Sequence, residues 1–96
     1  MSLADLLRRE RDEILRIAAQ HGATDVRVFG SAARGDSGQD SDVDFLVRME
    51  AGRSIFDLAT LVVELEALLD RRVDVVPEDS IYWLLRRRIL NEAQPL

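Results

Sequence analysis

Apolar residues recur along this chain at the spacing of three and four residues that is typical of helices with one buried face. Ser2 and Gly22 are suited to capping the two ends of the first such segment, and Ser54 can form a capping box with Asp57 at the start of the second. The spacing predicts long helices over residues 3–20, 54–69 and 79–91, with a short one after Gly30. We expect these four helices to cover a central sheet.

Apolar and polar residues also alternate with a period of two, which is typical of strands. This alternation predicts three strands, over residues 26–29, 42–48 and 73–76. Because helices and strands alternate along the chain, we expect an α/β (α+β) fold with a small mixed central sheet flanked by about four helices. With 96 residues and no repeats or linkers, the chain is expected to form a single domain over residues 1–96. No further element is predicted after the last helix.

The composition excludes several kinds of chemistry. All 13 basic residues are arginine, so there is no lysine for a Schiff base or a P-loop, and there is no cysteine for a disulfide, a thiolate zinc site or a nucleophile. The net charge of −5 argues against extended nucleic acid as a partner, because an acidic surface repels a polyanion. No apolar run approaches the roughly 20 residues that span a bilayer, so we expect a cytoplasmic protein with no membrane partner.

Two basic features have ordinary structural interpretations. The run from Arg86 to Arg88 fits a solvated helix face or a helix end, and it is also suited to contact with an acidic partner or a nucleotide phosphate. His21, beside Gly22 at the end of the first helix, fits a capping or surface residue. We therefore assign His21 no functional role.

Three aspartates lie in predicted strands. Side chains two residues apart on a strand point to the same face, so Asp42 and Asp44 project together with Cα atoms about 6.5 Å apart. Two close carboxylates repel unless a cation compensates, and Mg²⁺ prefers oxygen ligands while keeping positions for substrate phosphates. Asp74 interrupts an apolar strand, which we interpret as a buried position kept for function. If that strand lies beside Asp42 and Asp44, the three carboxylates can hold two metal ions about 3.5 to 4 Å apart, as in-line displacement at phosphorus requires.

A turn that can bind phosphate precedes these aspartates. A strand that ends at Gly30 and turns at once into a short helix offers unpaired backbone N–H groups and a close approach for phosphate oxygens. The Ser31 hydroxyl can donate one more hydrogen bond. Arg34, one turn later, can pair with a phosphate, or equally with Asp36, Asp40 or a neighbouring carboxylate.

Two other motifs fail against the sequence. Residues 30–35 begin like a P-loop, but Asp36 stands where that motif requires lysine. Residues 40–51 begin like an EF-hand loop, but Phe45 replaces its glycine and Ala51 its bidentate glutamate. The joined Gly-Ser turn and aspartate pair instead favour nucleotidyl transfer.

At this point the chain resembles the minimal nucleotidyltransferases of the DNA polymerase β-like superfamily. The resemblance rests on the motifs in residues 28–36, 41–47 and 72–76 and on the order of helices and strands. It implies that Asp42 and Asp44 bind two Mg²⁺ ions with a nucleoside triphosphate, ATP by default. It also implies that Asp74 completes this metal site and promotes deprotonation of an acceptor hydroxyl, and that Gly30 and Ser31 hold the phosphates. The hydroxyl would attack the α-phosphorus, so that AMP is transferred and pyrophosphate leaves.

The resemblance also suggests a biological role. Small members of this family often act as antitoxins to a helical toxin of the HEPN type, and the antitoxin can adenylylate the toxin. The shortness of this chain fits an acceptor delivered by such a partner, and a second copy of the chain is another way to complete the pockets. Two alternatives remain: a non-catalytic antitoxin that neutralises its partner by contact, and an enzyme that modifies a small molecule such as an aminoglycoside.

Overall fold

The computed structural model describes residues 2–35 and 42–96. Its helices are α1 (Leu3–Arg9), α2 (Arg11–Gln20), α3 (Ser31–Arg34), α4 (Ile55–Leu69) and α5 (Trp83–Glu92). Its strands are β1 (Ala23–Phe29), β2 (Val43–Met49), β3 (Val73–Pro77) and β4 (Gln94–Pro95), and a 3-10 helix (Glu78–Ser80) follows β3. Asp36, Asp40 and Ser41, which entered the sequence interpretation, lie outside the described residues.

The four strands form one mixed sheet in the order β3-β2-β1-β4. β1 runs antiparallel to β2 and β4, whereas β3 runs parallel to β2, so the predicted α+β fold with a small mixed sheet is confirmed. The prediction that no element follows the last helix is wrong, because β4 pairs with Arg27 and Val28 of β1. A strand of two residues has no period to detect in the sequence, and it exists only through this pairing.

One face of the sheet carries the hydrophobic core, against which α1, α2 and α4 pack. Burial of each large apolar side chain there contributes about 1.5 to 3 kcal/mol. The fully buried side chains of this core include Ile14, Val43, Phe45, Leu61 and Leu65. The predicted capping box at the start of α4 is confirmed, since Ser54 and Asp57 exchange hydrogen bonds between side chain and backbone. α4 is the longest described helix at 15 residues, and no described helix is long and apolar enough to cross a membrane.

The first predicted helix is divided in two. Glu10 has backbone angles of φ −94° and ψ 7°, outside the helical range, and it ends α1 and caps the start of α2. The Glu10 N–H still donates to the Leu6 carbonyl, and the Glu10 carbonyl accepts from Ile14, so Glu10 itself keeps both backbone hydrogen bonds. The bend lets the apolar residues of both halves reach one core, a tertiary requirement that helical spacing does not reveal.

The last helix also differs from the prediction. It begins at Trp83 rather than at residue 79, and none of its residues is buried, so it does not cover the sheet in the way that α2 and α4 do. Trp83 is 72% exposed, and Leu84 and Leu85 are also exposed. The apolar spacing of this segment predicts a helix correctly, but the expected burial against the sheet is wrong.

Glu78 joins α5 to the sheet on the face opposite the core. Its carboxylate accepts hydrogen bonds from Arg27 at 2.7 Å and from Arg48 at 3.0 Å, and its backbone carbonyl accepts one from Arg86 at 2.9 Å. The Glu78 side chain is only 13% exposed. Arg86 is therefore used within the chain, whereas Arg87 and Arg88 are exposed.

Replacing Glu78 by glutamine is expected to lower the melting temperature at neutral pH. Hydrogen bonds from Arg27 and Arg48 hold the pKa of Glu78 below its ordinary value of 4.5. The ionised carboxylate therefore stabilises the fold above that value, and this contribution is lost as the pH falls through the lowered pKa. Thermal melts of both proteins should differ by a few degrees above pH 4.5 and converge only as the pH falls through the lowered pKa of Glu78. Glu50→Gln is the matched control, because Glu50 is exposed and pairs only with Arg53 among its described contacts; an equal effect there would contradict the prediction.

Candidate active site

The predicted aspartates meet at one end of the sheet face opposite the core. Asp44 of β2 stands in register with Asp74 of the parallel strand β3, and Asp42 directly precedes β2. The condition set by the sequence, that Asp74 lies on the strand beside Asp44, is therefore met. Asp44 is half-buried, whereas Asp42 and Asp74 are exposed. The expectation that Asp74 occupies a buried position is wrong, because its side chain alternates away from the buried Val73 and Val75 and toward solvent.

The turn at Gly30, which the sequence predicts to bind phosphate, lies against this carboxylate group. Phe29, the last residue of β1, pairs with Asp44, so the turn begins directly beside the aspartate. Gly30 has φ +69°, and a Cβ atom added to it would lie 2.5 Å from the Oδ2 atom of Asp44. Only glycine combines this backbone conformation with so close a carboxylate. The turn and the aspartates, eleven residues or more apart in the sequence, thus form one site.

The electrostatics of Asp44 show how strongly the three carboxylates interact. Burial raises the pKa of Asp44, and the negative charges of Asp74 and Asp42 raise it further. Arg34 acts in the opposite direction, and Glu92 adds to the increase. The ionised form of Asp44 is therefore held in an unfavourable position that a bound cation would relieve.

The donor set suits a hard divalent cation. Asp42, Asp44 and Asp74 offer only carboxylate oxygens, the ligands that Mg²⁺ prefers. Within the described ranges, however, no three acidic or histidine side chains converge closely enough to enclose a metal ion. The backbone places the three aspartates near one another, but their side chains do not converge on a single point.

Glu92 is a member of this site that the sequence analysis missed. Its carboxylate accepts a hydrogen bond from the Gly30 N–H at 3.3 Å and one from the Arg34 guanidinium at 2.6 Å. Arg34 thus pairs with a neighbouring carboxylate, one of the alternatives left open by the sequence. Glu92 carries no local motif, and it reaches the site only because β4, which follows it, pairs with β1.

Ser31 lies beside the Gly30 turn, whereas His21 lies apart from the carboxylate site. Ser31 is the first residue of α3, directly after Gly30, and its side chain is partly exposed beside the turn. His21 caps the end of α2 through its backbone, as predicted, and its ring forms a pair with Glu64 on α4. His21 lies against the helical layer and takes no part in the carboxylate site.

Comparisons with known proteins identify the family of this chain. The nucleotidyltransferase domain family matches residues 11–96 of the chain. Over 81 residues the chain is 44% identical to the provisionally named protein adenylyltransferase MJ0435 of Methanocaldococcus jannaschii, and the alignment covers 84% of this chain and 87% of that relative.

Solved structures show the same fold. One that is provisionally described as a minimal nucleotidyltransferase superposes with a TM-score of 0.87 at 49% identity and covers 96% of this chain and 94% of that one. A crystal structure of a toxin–antitoxin with AMP-PNP has a TM-score of 0.75 at 21% identity and covers 88% of this chain and 69% of that one. At this lower identity, the likeness concerns the fold alone.

Proposed function

Because this chain belongs to the nucleotidyltransferase domain family, we propose that it transfers AMP from ATP, with Mg²⁺, to a hydroxyl group of a HEPN-type toxin and so acts as an antitoxin. The observation that carries the proposal is the register of Asp44 with Asp74 beneath the Gly30 turn. One domain spanning residues 1–96 performs the reaction in the cytoplasm, where ATP is available.

Each part of the site has a proposed role. Asp42, Asp44 and Asp74 would hold Mg²⁺, two ions in the complete site, which supplies positive charge to the phosphates and to the reacting oxygens. The Gly30 N–H, the Ser31 hydroxyl and the Arg34 guanidinium bind phosphate oxygens. Positioning and charge neutralisation therefore account for most of the catalysis, as in phosphoryl transfer generally.

The bond changes follow from in-line displacement. The acceptor oxygen forms a bond to the α-phosphorus, and the bond from that phosphorus to the bridging oxygen of the β-phosphate breaks. The bond electrons leave with pyrophosphate, and Asp74 accepts the proton of the hydroxyl. The exposure of Asp74 supports this role, since a group that takes a proton from an incoming acceptor must be accessible.

The protein acceptor is supported by the relatives. The M. jannaschii relative is named a protein adenylyltransferase, and a toxin–antitoxin structure that holds AMP-PNP has the same fold. An acceptor hydroxyl on a partner protein is therefore the proposed substrate.

A non-catalytic binding role is the second candidate, and the exposed residues of α5 favour it. Tyr82, Trp83, Leu84 and Leu85 are each about half exposed or more. Large apolar side chains that face solvent together are typical of protein contact surfaces. In this role the chain would neutralise its partner stoichiometrically, or pair with a second copy, without transferring a nucleotide.

Incubation with ATP labelled at the α-phosphate and Mg²⁺ separates the two candidates. The purified chain is mixed with a HEPN-type toxin encoded beside it, and each protein is examined for label. We expect label on the toxin, at a hydroxyl-bearing residue identified by mass spectrometry. A tight complex without label on either protein would favour the binding role and contradict the proposed transfer.

A further inference from the structure

The phosphate position of the proposed site is already bound by a carboxylate of the same chain. Glu92 Oε2 accepts from the Gly30 N–H at 3.3 Å, and Glu92 Oε1 accepts from Arg34 at 2.6 Å. Two oxygens of one anion thus bind two of the groups assigned to the triphosphate. The Glu92 side chain is 20% exposed, and its pKa is held low by the hydrogen bond from Arg34 and by that from Gly30, so the group is ionised at neutral pH.

The position of Glu92 is set by strand pairing rather than by chance contact. Gln94 of β4 pairs with Val28 of β1 in the antiparallel direction. Glu92 lies two residues before Gln94 and Gly30 two residues after Val28, so this pairing brings the two residues near each other. Glu92 is also the last residue of α5, so it lies at the junction between a helix and the edge of the sheet.

We propose that Glu92 competes with the triphosphate for the same donors. The Glu92 carboxylate must leave the Gly30 N–H and Arg34 before ATP binds in the reactive position. This inference rests on the proposed function, because it assigns a regulatory contact to the same site. A carboxylate and a phosphate oxygen are both anionic acceptors that suit a guanidinium and a backbone N–H. They cannot occupy the same donors at once.

The surrounding structure allows Glu92 to withdraw. No residue of α5 is buried, so a shift of its end does not open the hydrophobic core. The β4 strand that follows is two residues long. The Arg34 side chain is 47% exposed, and solvent screens an ion pair that is exposed to this degree, so the pair holds Glu92 only weakly. A triphosphate offers several anionic oxygens, and metal ions at the aspartates would hold it as well, so it can displace the single carboxylate from these donors.

Nucleotide affinity tests the inference directly. The probe is α,β-methylene ATP with Mg²⁺, which cannot lose pyrophosphate, and its Kd is measured by calorimetry for wild type, Glu92→Gln, Glu92→Asp and Glu50→Gln. If Glu92 occupies the donors in about nine molecules of ten, the apparent Kd of wild type is about tenfold weaker than that of the open site. We therefore expect Glu92→Gln to bind about three- to tenfold more tightly, and Glu50→Gln, which removes an equal charge elsewhere, to match wild type.

The Glu92→Asp variant distinguishes occupation of the two donors by the carboxylate from simple charge repulsion between the carboxylate and the nucleotide. It keeps the negative charge but shortens the side chain by one methylene, so it no longer reaches both donors, and it should also bind the probe more tightly. Binding by Glu92→Asp equal to that of wild type, with a gain only in Glu92→Gln, would overturn the inference in favour of long-range repulsion. Weaker binding by both variants would also overturn it, since Glu92 would then support the site.

A second readout does not depend on nucleotide. The Gly30 amide resonance of the free protein should move, and its hydrogen exchange should accelerate, in Glu92→Gln and Glu92→Asp but not in Glu50→Gln. An unchanged Gly30 amide would contradict the proposed contact. Failure of the proposed function has a different signature: the Asp42→Asn, Asp44→Asn double variant would bind the probe as wild type does.

Discussion

Replacement of both Asp42 and Asp44 by asparagine is expected to reduce nucleotidyl transfer by at least about a thousandfold, because each carboxylate removed lowers the affinity of the site for the cations on which charge neutralisation depends. The same change should leave the fold intact. Asp44 is disfavoured by its own burial and by the charges of Asp74 and Asp42, and neutralising it removes that penalty. The free energy of unfolding without Mg²⁺ should be unchanged or slightly higher.

Two measurements on the same protein check this prediction. Transfer of α-labelled AMP to the toxin gives the activity, and thermal melts without Mg²⁺ give the stability. The matched control is the Asp12→Asn, Glu50→Gln double variant, which removes the same formal charge from exposed positions outside the site. Full activity in the Asp42, Asp44 variant would show that the site has been assigned to the wrong residues. A collapsed fold would show that the two carboxylates are structural.

Replacement of Gly30 by alanine is expected to lower the rate of transfer by about a hundredfold or more. The added Cβ atom would lie 2.5 Å from Asp44 Oδ2, so either the turn or the carboxylate must move. A displacement of about 1 Å in a positioned group is enough to cost a factor of about a hundred in rate. Alanine is also strained at φ +69° and ψ −148°, a conformation that only glycine adopts readily, which should destabilise the fold by about 1 to 3 kcal/mol.

Gly52→Ala is the control that separates backbone strain from displacement of Asp44. Gly52 has φ +88°, but nothing lies within 4 Å of its added Cβ atom. Gly52→Ala should therefore lose stability to backbone strain and keep its activity, while Gly30→Ala loses both. Denaturant unfolding and the transfer assay on both proteins give the comparison. Equal activity in the two variants would mean that the contact between Gly30 and Asp44 does not position the reacting groups.

The proposed competition by Glu92 would link nucleotide binding to movement of the end of α5. Since β4 fixes the register of Glu92 against Gly30, any partner that moves the end of α5 would also change access to the phosphate position. The exposed apolar residues of α5 lie on that same helix. Binding of a protein to α5 and binding of ATP would then be linked, and the Glu92→Asp variant should weaken this linkage.

The sequence by itself determined the location of most helices, three of the four described strands and the family. Local patterns suffice for these, because helical spacing, capping residues and strand alternation depend on neighbours within a few positions. The capping box at Ser54, the strands β2 and β3 and the close spacing of Asp42 and Asp44 were all predictable in this way. The Gly30 turn was recognised because its motif is contiguous.

The tertiary structure decided what the local pattern does not encode. The exposure of Asp74, the bend at Glu10 and the exposed apolar residues of α5 all depend on which surfaces other elements cover. The contact of Glu92 with Gly30 joins residues 62 positions apart, and it depends on a two-residue strand whose only signal is its partner. The sequence therefore specifies the chemistry of the proposed site, whereas the pairing of distant strands decides which groups compete for it.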